Sequence, residues 1–90
     1  MSDYTDEDFR ALDEHRDRQY RQLYGQWIRS MRLRRSKSQQ AFAEVLGISP
    51  RALGGLERAE HPPSLRTREK IETLATEAEL DWLDKQAQEL

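Results

Sequence analysis

The run Leu46-Gly47-Ile48-Ser49-Pro50 leaves the chain around it little choice of fold. Ahead of it, Ser38 is placed to cap a helix from Gln39 to about Leu46, with Phe42, Val45 and Leu46 facing inward. Behind it, Ser49 is a second N-cap, and Pro50 suits the first helical position, where a missing amide proton has no intrahelical acceptor to lose. Gly47 ends the first helix and Ile48 reads as a buried turn residue, so two short helices are joined through a connection of about three residues.

The flanks read as helix too. Thr5 followed by Asp8 resembles a capping box, with acids in the first turn that complement the helix dipole. From there Phe9, Leu12, Tyr20, Leu23, Trp27 and Met31 recur near helical spacing, broadened by Tyr24 and Ile28. Gly25 reads as a break, which divides the region into an extension helix over about 6–24 and a helix leading into the domain over about 26–35. Downstream, Pro62 and Pro63 forbid helix, and Ser64 caps a fourth helix carrying Leu65, Ile71, Leu74 and Ala75. A last helix or its continuation holds Ala78, Leu80, Trp82, Leu83 and Ala87. No strand pattern or internal repeat intervenes, so the expectation is an all-α chain, a helical domain with an N-terminal helical extension. Its parts are an acidic helical extension over 1–24, a helix-turn-helix core over 25–76, and an acidic amphipathic helix over 77–90.

Ninety residues with hydrophobic and charged fractions both at 36% make a small, polar, folded chain with a modest core. No apolar run approaches the length of a membrane span, the acidic start is unlike a signal peptide, and there is no cysteine, all of which agrees with a cytoplasmic address. The net charge of −2 hides a segregation: residues 1–17 carry −5, residues 18–70 carry +8, and residues 71–90 carry −5. A basic middle between acidic ends is the electrostatic footprint of a phosphate-backbone binder, although solvated helix faces would look the same in composition.

The span MRLRRSKSQQAFAEVLGISPRALGGLERAEHPPSL resembles the lambda-repressor-like, Cro/Xre-type helix-turn-helix family. The residues that carry the likeness are Arg32, Ser38-Gln39, Phe42-Ala43, Gly47-Ile48-Ser49, Leu53, Glu57-Arg58 and Pro63-Ser64. The resemblance implies a five-helix fold, binding to double-stranded DNA as a phage or bacterial transcription regulator, and a buried ion pair between Arg32 and Glu57. A solvent-exposed pair is the alternative reading of those two residues. It implies base reading by Ser49, Pro50, Arg51, Ala52 and Gly55, among which arginine alone can take guanine O6 and N7 bidentately. Phosphate contacts fall to Gln39 with its backbone amide, to Arg34, Arg35 and Lys37, and to Arg58. Lys37 and Arg68 stand where the family is ordinarily apolar, and Ala59 replaces the glycine that ordinarily ends the recognition helix.

Gly54 and Gly55 lie inside the second motif helix, where each is unfavourable by about 0.8–1.0 kcal/mol relative to alanine. They share a helical stripe with Arg51 and Arg58, opposite Leu53 and Leu56, so the expectation is that they face outward as a bare surface for DNA backbone or a partner. No acid/base or nucleophile constellation stands out, and neither His15 nor His61 has ligand-spaced companions, so no enzyme, metal or cofactor is expected. A homodimer is expected, through Leu80, Trp82 and Leu83 or through Phe9, Leu12, Tyr20 and Leu23. The rival reading is an antitoxin or other protein-binding module that grips a partner protein through the acidic extensions.

Overall fold

A computed structural model describes the backbone from Asp6 to Leu90 and the side chains from Asp17 onward. Five helices follow in order: α1 Asp6–Arg34, α2 Gln39–Leu46, α3 Pro50–Glu57, α4 Leu65–Leu74 and α5 Glu77–Gln88. There is no strand among the described residues. Four of the helices start on a hydroxyl. Ser38, Ser49, Ser64 and Thr76 each hold an extended backbone and accept a hydrogen bond from the amide three residues on, satisfying one of the donors that a helix start leaves without an intrahelical acceptor. Thr76 goes further. Its amide donates to the Glu79 carboxylate at 2.9 Å while its own hydroxyl accepts from the Glu79 amide, a reciprocal box that makes α5 a separate helix rather than a continuation of α4.

Gly47 ends α2 at φ 70°, the left-handed region where a Cβ is unwelcome, and its amide and that of Ile48 close the last turn. Lys70 of α4 donates to the Leu46 carbonyl at 3.2 Å, placing a cation at the negative end of α2. At the end of α3 the left-handed position falls instead on Ala59, at φ 60°. A non-glycine residue is disfavoured there by about 1–2 kcal/mol, so Ala59→Gly is expected to stabilise the fold by up to about 1 kcal/mol after the greater unfolded-state freedom of glycine is subtracted. Thermal melts of the variant and parent check this.

Trp27, Ile28 and Met31 of α1, Phe42, Ala43 and Leu46 of α2, Leu53 and Leu56 of α3, Ile71 of α4 and Leu83 of α5 form one core. The Trp27 indole donates to the Glu79 carbonyl at 2.9 Å, so the largest core side chain also satisfies its polar atom and ties α1 to α5. Val45, expected inside, is 49% exposed, and Leu65 is exposed as well. Both stand at the edges of short helices whose inner stripe is already filled by Leu46 and Ile71.

The break expected at Gly25 does not occur: α1 runs through it. The reason is steric. A Cβ at Gly25 would stand 2.6 Å from the Leu56 carbonyl oxygen and 2.9 Å from that of Glu57, so the missing side chain is what lets α1 lie directly against the end of α3. The extension helix and the helix leading into the domain are one element.

Candidate nucleic-acid interface

The start of α2 and the whole of α3 are held together by one carboxylate. Glu57 receives Arg32 Nε at 2.9 Å and Nη2 at 3.0 Å in a bidentate pair, with both side chains nearly buried, and Gln39 Nε2 approaches its Oε1 at 3.4 Å. Arg32 spends its third nitrogen on the Lys37 carbonyl at 3.1 Å, so the junction between α1 and α2 is fixed by the same guanidinium. Hydrogen bonding to Glu57 holds the Arg32 pKa above its ordinary value. A planar fork that meets a carboxylate with two bonds has little rotational slack, so the end of α3 is held firmly to the end of α1, and the start of α2 joins them through the Lys37 carbonyl and Gln39.

That unit presents polar groups outward. With the Ala41 amide taken by the Ser38 hydroxyl and the Phe42 amide by the Ser38 carbonyl, the amides of Gln39 and Gln40 are left without helical acceptors at the positive end of α2. Gln39 is exposed and Lys37 half-buried beside it. On α3, Ser49, Pro50 and Arg51 are exposed and Ala52 is half-buried. Gln39, Lys37 and the first turn of α3 thus lie on the helices that Glu57 joins. Arg34 is also exposed, on the last turn of α1.

Arg35 is placed elsewhere. Instead of reaching outward for phosphate it forms a bidentate pair with Glu79 of α5, at 2.9 and 2.8 Å, and also donates to the Met31 and Leu74 carbonyls. Glu79 is 3% exposed, and hydrogen bonding from Arg35, then from Thr76, brings its carboxyl down to about 2 against the penalty of burial. Both terminal nitrogens of Arg35 are engaged in holding the end of α1 to α5, which turns them away from the outward position expected of a phosphate contact. The sequence carried a signal for this pair in Thr76-x-x-Glu79, the capping-box spacing that aims Glu79 back at the start of its helix.

The glycines of α3 are not bare. Both are buried. The Arg58 guanidinium lies over Gly54, where an added Cβ would meet Nη1 at 2.9 Å, and the His61 ring with the Glu60 carboxylate lies over Gly55, where it would meet Nε2 at 2.5 Å. Arg58 pairs with Glu60 at 2.9 Å, in the open, which raises the arginine pKa and lowers that of the glutamate. The missing side chains accommodate Arg58 on the same stripe and the residues just past α3, whose return a helical stripe does not encode. An exposed pair of this kind is well screened by solvent, so a phosphate can replace Glu60 on Arg58. Because the atoms over both glycines are the tips of mobile side chains, Gly54→Ala and Gly55→Ala are each expected to be neutral or stabilising by up to about 1 kcal/mol in thermal melts, the helix-propensity gain less any displacement of Arg58 or His61.

The helical ends are also rearranged relative to expectation. Leu83 is 5% exposed and belongs to the core, Leu80, Tyr20 and Leu23 pack half-buried against it, and only Trp82, at 44%, offers a large open apolar surface on α5. Phe9, Leu12 and His15 lie outside the described side chains. Among the described residues no group of histidine, cysteine or carboxylate side chains could hold a metal, and no helix is long and apolar enough to cross a membrane.

Two capped helices meeting at a left-handed glycine, with the second tied by its last residue to the first and to α1, is the arrangement that comparison with known families identifies. A family model described as helix-turn-helix, of the Cro/C1 type, matches residues 28–74, just over half of the chain. The chain belongs to this helix-turn-helix family. Membership marks it as a DNA-binding regulator and agrees with the all-α, lambda-repressor-like architecture. No curated protein and no solved structure matches this helix-turn-helix chain.

Proposed function

We propose that the protein is a sequence-specific transcription repressor of phage or bacterial type, cytoplasmic and non-enzymatic, that acts on double-stranded DNA as a homodimer. The observation that supports this best is the Glu57 junction, where the end of α3 meets Arg32 of α1 and Gln39 at the start of α2. On this reading the Gln39 and Gln40 amides, Gln39 itself, Lys37 and Arg34 hold the sugar-phosphate backbone, and Arg58 joins them on releasing Glu60. Ser49, Pro50 and Ala52 shape the approach to the bases, Arg51 supplies the bidentate contact to guanine, and shape or deformability of the operator supplies the remaining contrast. Two copies would set their recognition helices about 34–36 Å apart along DNA, with the open Trp82 flank of α5 as the surface where they meet.

The two kinds of contact separate experimentally. Arg51→Ala is expected to weaken binding to the cognate site by about 1–3 kcal/mol and to random DNA far less, because it removes base reading. Lys37→Ala is expected to weaken both alike and to lower the slope of log K against log salt by about 0.9, because it removes a phosphate contact. Titrations on both DNAs over a range of salt read the two effects; an Arg51→Ala protein that loses nothing on a selected site would overturn the assignment of α3 as the reader. Trp82→Ala, followed by sedimentation, reads the dimer surface.

A partner protein is a second reading that the helical extension favours. α1 spans 29 residues, and Tyr24 is the first side chain along it, among the described residues, to enter the core. The residues before it carry most of the acidic N-terminal charge, a complement to a basic partner.

A further inference from the structure

Tyr24 is 2% exposed, and its hydroxyl is the buried side-chain polar atom that finds no hydrogen-bond partner among the described residues. Burial, reinforced by the nearby Glu72 carboxylate, pushes its ionisation above the usual phenol range, so it stays a neutral donor. A buried hydroxyl with nothing to bond is unfavourable, and phenylalanine would fill the same space without that penalty. The ring borders a cavity of about 290 Å³ between α1 and the loop from α3 to α4, a size near the lower end of small-ligand sites. Its walls are the rings of Tyr20, Tyr24, Pro62 and Pro63, with Tyr20 and Tyr24 tilted against each other at 6.0 Å. Among the described residues Arg21, Arg68 and Asp17 also line it, with the Glu72 carboxylate held by Arg68 close by. Arg68 uses Nε on Glu72 at 3.0 Å, which leaves the two terminal nitrogens of its fork for another acceptor.

Flat apolar walls select a planar ring, the Arg68 nitrogens that Glu72 leaves free select an anion, and the orphaned hydroxyl selects an acceptor. We propose that this cavity binds a small aromatic carboxylate, its ring between the tyrosines and prolines and its carboxylate shared by Arg68 and the Tyr24 hydroxyl, with Arg21 at the mouth. The site lies apart from the residues assigned to DNA, and it joins α1 to the segment that folds back over Gly54 and Gly55. Its occupancy is measured without DNA, so this assignment and the DNA-binding reading can fail separately.

The test is titration of the whole chain with sodium benzoate at constant ionic strength, followed by amide NMR shifts. Saturable one-to-one shifts centred on residues 20–24 and 61–68 are expected, with acetate, which lacks the ring, failing to saturate over the same range. Tyr24→Phe is expected to melt at or above the parent temperature and to bind benzoate about three- to tenfold more weakly, the worth of one hydrogen bond. Arg68→Gln is expected to weaken binding by about tenfold or more, as loss of a charge-assisted contact does. Shifts that do not saturate, equal responses to acetate and benzoate, or undiminished binding by both variants would each overturn the assignment.

Discussion

Arg35→Ala is expected to lose about 3–5 kcal/mol of stability, because it leaves the carboxylate of Glu79 buried and unpaired between α1 and α5. The loss exceeds what a surface arginine would give, since the same guanidinium also occupies the Met31 and Leu74 carbonyls. The pH dependence has a definite sign. Glu79 has a folded-state pKa of about 2, below its unfolded value of 4.5, so its pairing contributes stability that is full above about pH 4.5 and disappears as the pH falls towards 2. Removing Arg35 should flatten that part of the acid-unfolding profile as well as lower the melting temperature. A double replacement, Arg35→Met with Glu79→Leu, is expected to recover only part of the loss, because it leaves no orphaned charge but gives up the Thr76 cap and the Met31 and Leu74 carbonyl contacts. Urea titrations at pH 7 and pH 3 compare all three proteins. A single variant as stable as the parent at pH 7 would show that the pair contributes nothing to the fold.

The second large effect concerns Gly25, where helix propensity and packing give opposite signs. By propensity alone, Gly25→Ala gains about 1 kcal/mol in the middle of a long helix. The added Cβ, however, meets two backbone carbonyl oxygens of α3 at 2.6 and 2.9 Å, atoms that cannot rotate away as the side-chain tips over Gly54 and Gly55 can. The expected outcome is a net destabilisation of about 1–3 kcal/mol with α3 pushed outward, which would loosen the Glu57 junction and weaken DNA binding with it. Chemical denaturation of Gly25→Ala beside Gly54→Ala makes the contrast internal. Equal behaviour of the two would mean that α1 and α3 are not in close contact.

Much of the fold was legible because its signals are local. The hydroxyls at Ser38, Ser49 and Ser64 and the glycine at Gly47 act within four residues of themselves, and these fixed the limits of α2 and the starts of α3 and α4. The pairing of Arg32 with Glu57 was available only through the family likeness, since its 25-residue separation has no local signature. What sequence reasoning placed wrongly depends on approach between distant segments at Gly25 and Arg35, and on the path of the chain just past α3 at Gly54 and Gly55. Gly25 looks the same to the eye whether it breaks a helix or admits a neighbour, and only the presence of Leu56 and Glu57 decides. Arg35 looked as outward as Arg34 because its partner lies 44 residues away. The bare stripe expected on α3 was correct about which side the glycines take and wrong about what lies there, because the chain returns over them at Glu60 and His61.

The continuity of α1 through Gly25 gives the molecule a mechanical property. A helix of 29 residues is a rod about 43 Å long, and with no joint between its early turns and the face packed on α3, its rotation about its own axis is locked to the recognition helix. Each residue advances that rotation by about 100°, so inserting or deleting one residue ahead of Gln19 would swing whatever the first turns grip to another side of the domain, without altering any contact to DNA. If a partner binds the first turns as proposed, its bearing relative to the double helix is written in the number of residues in the rod, like the angle between two gears keyed to one shaft.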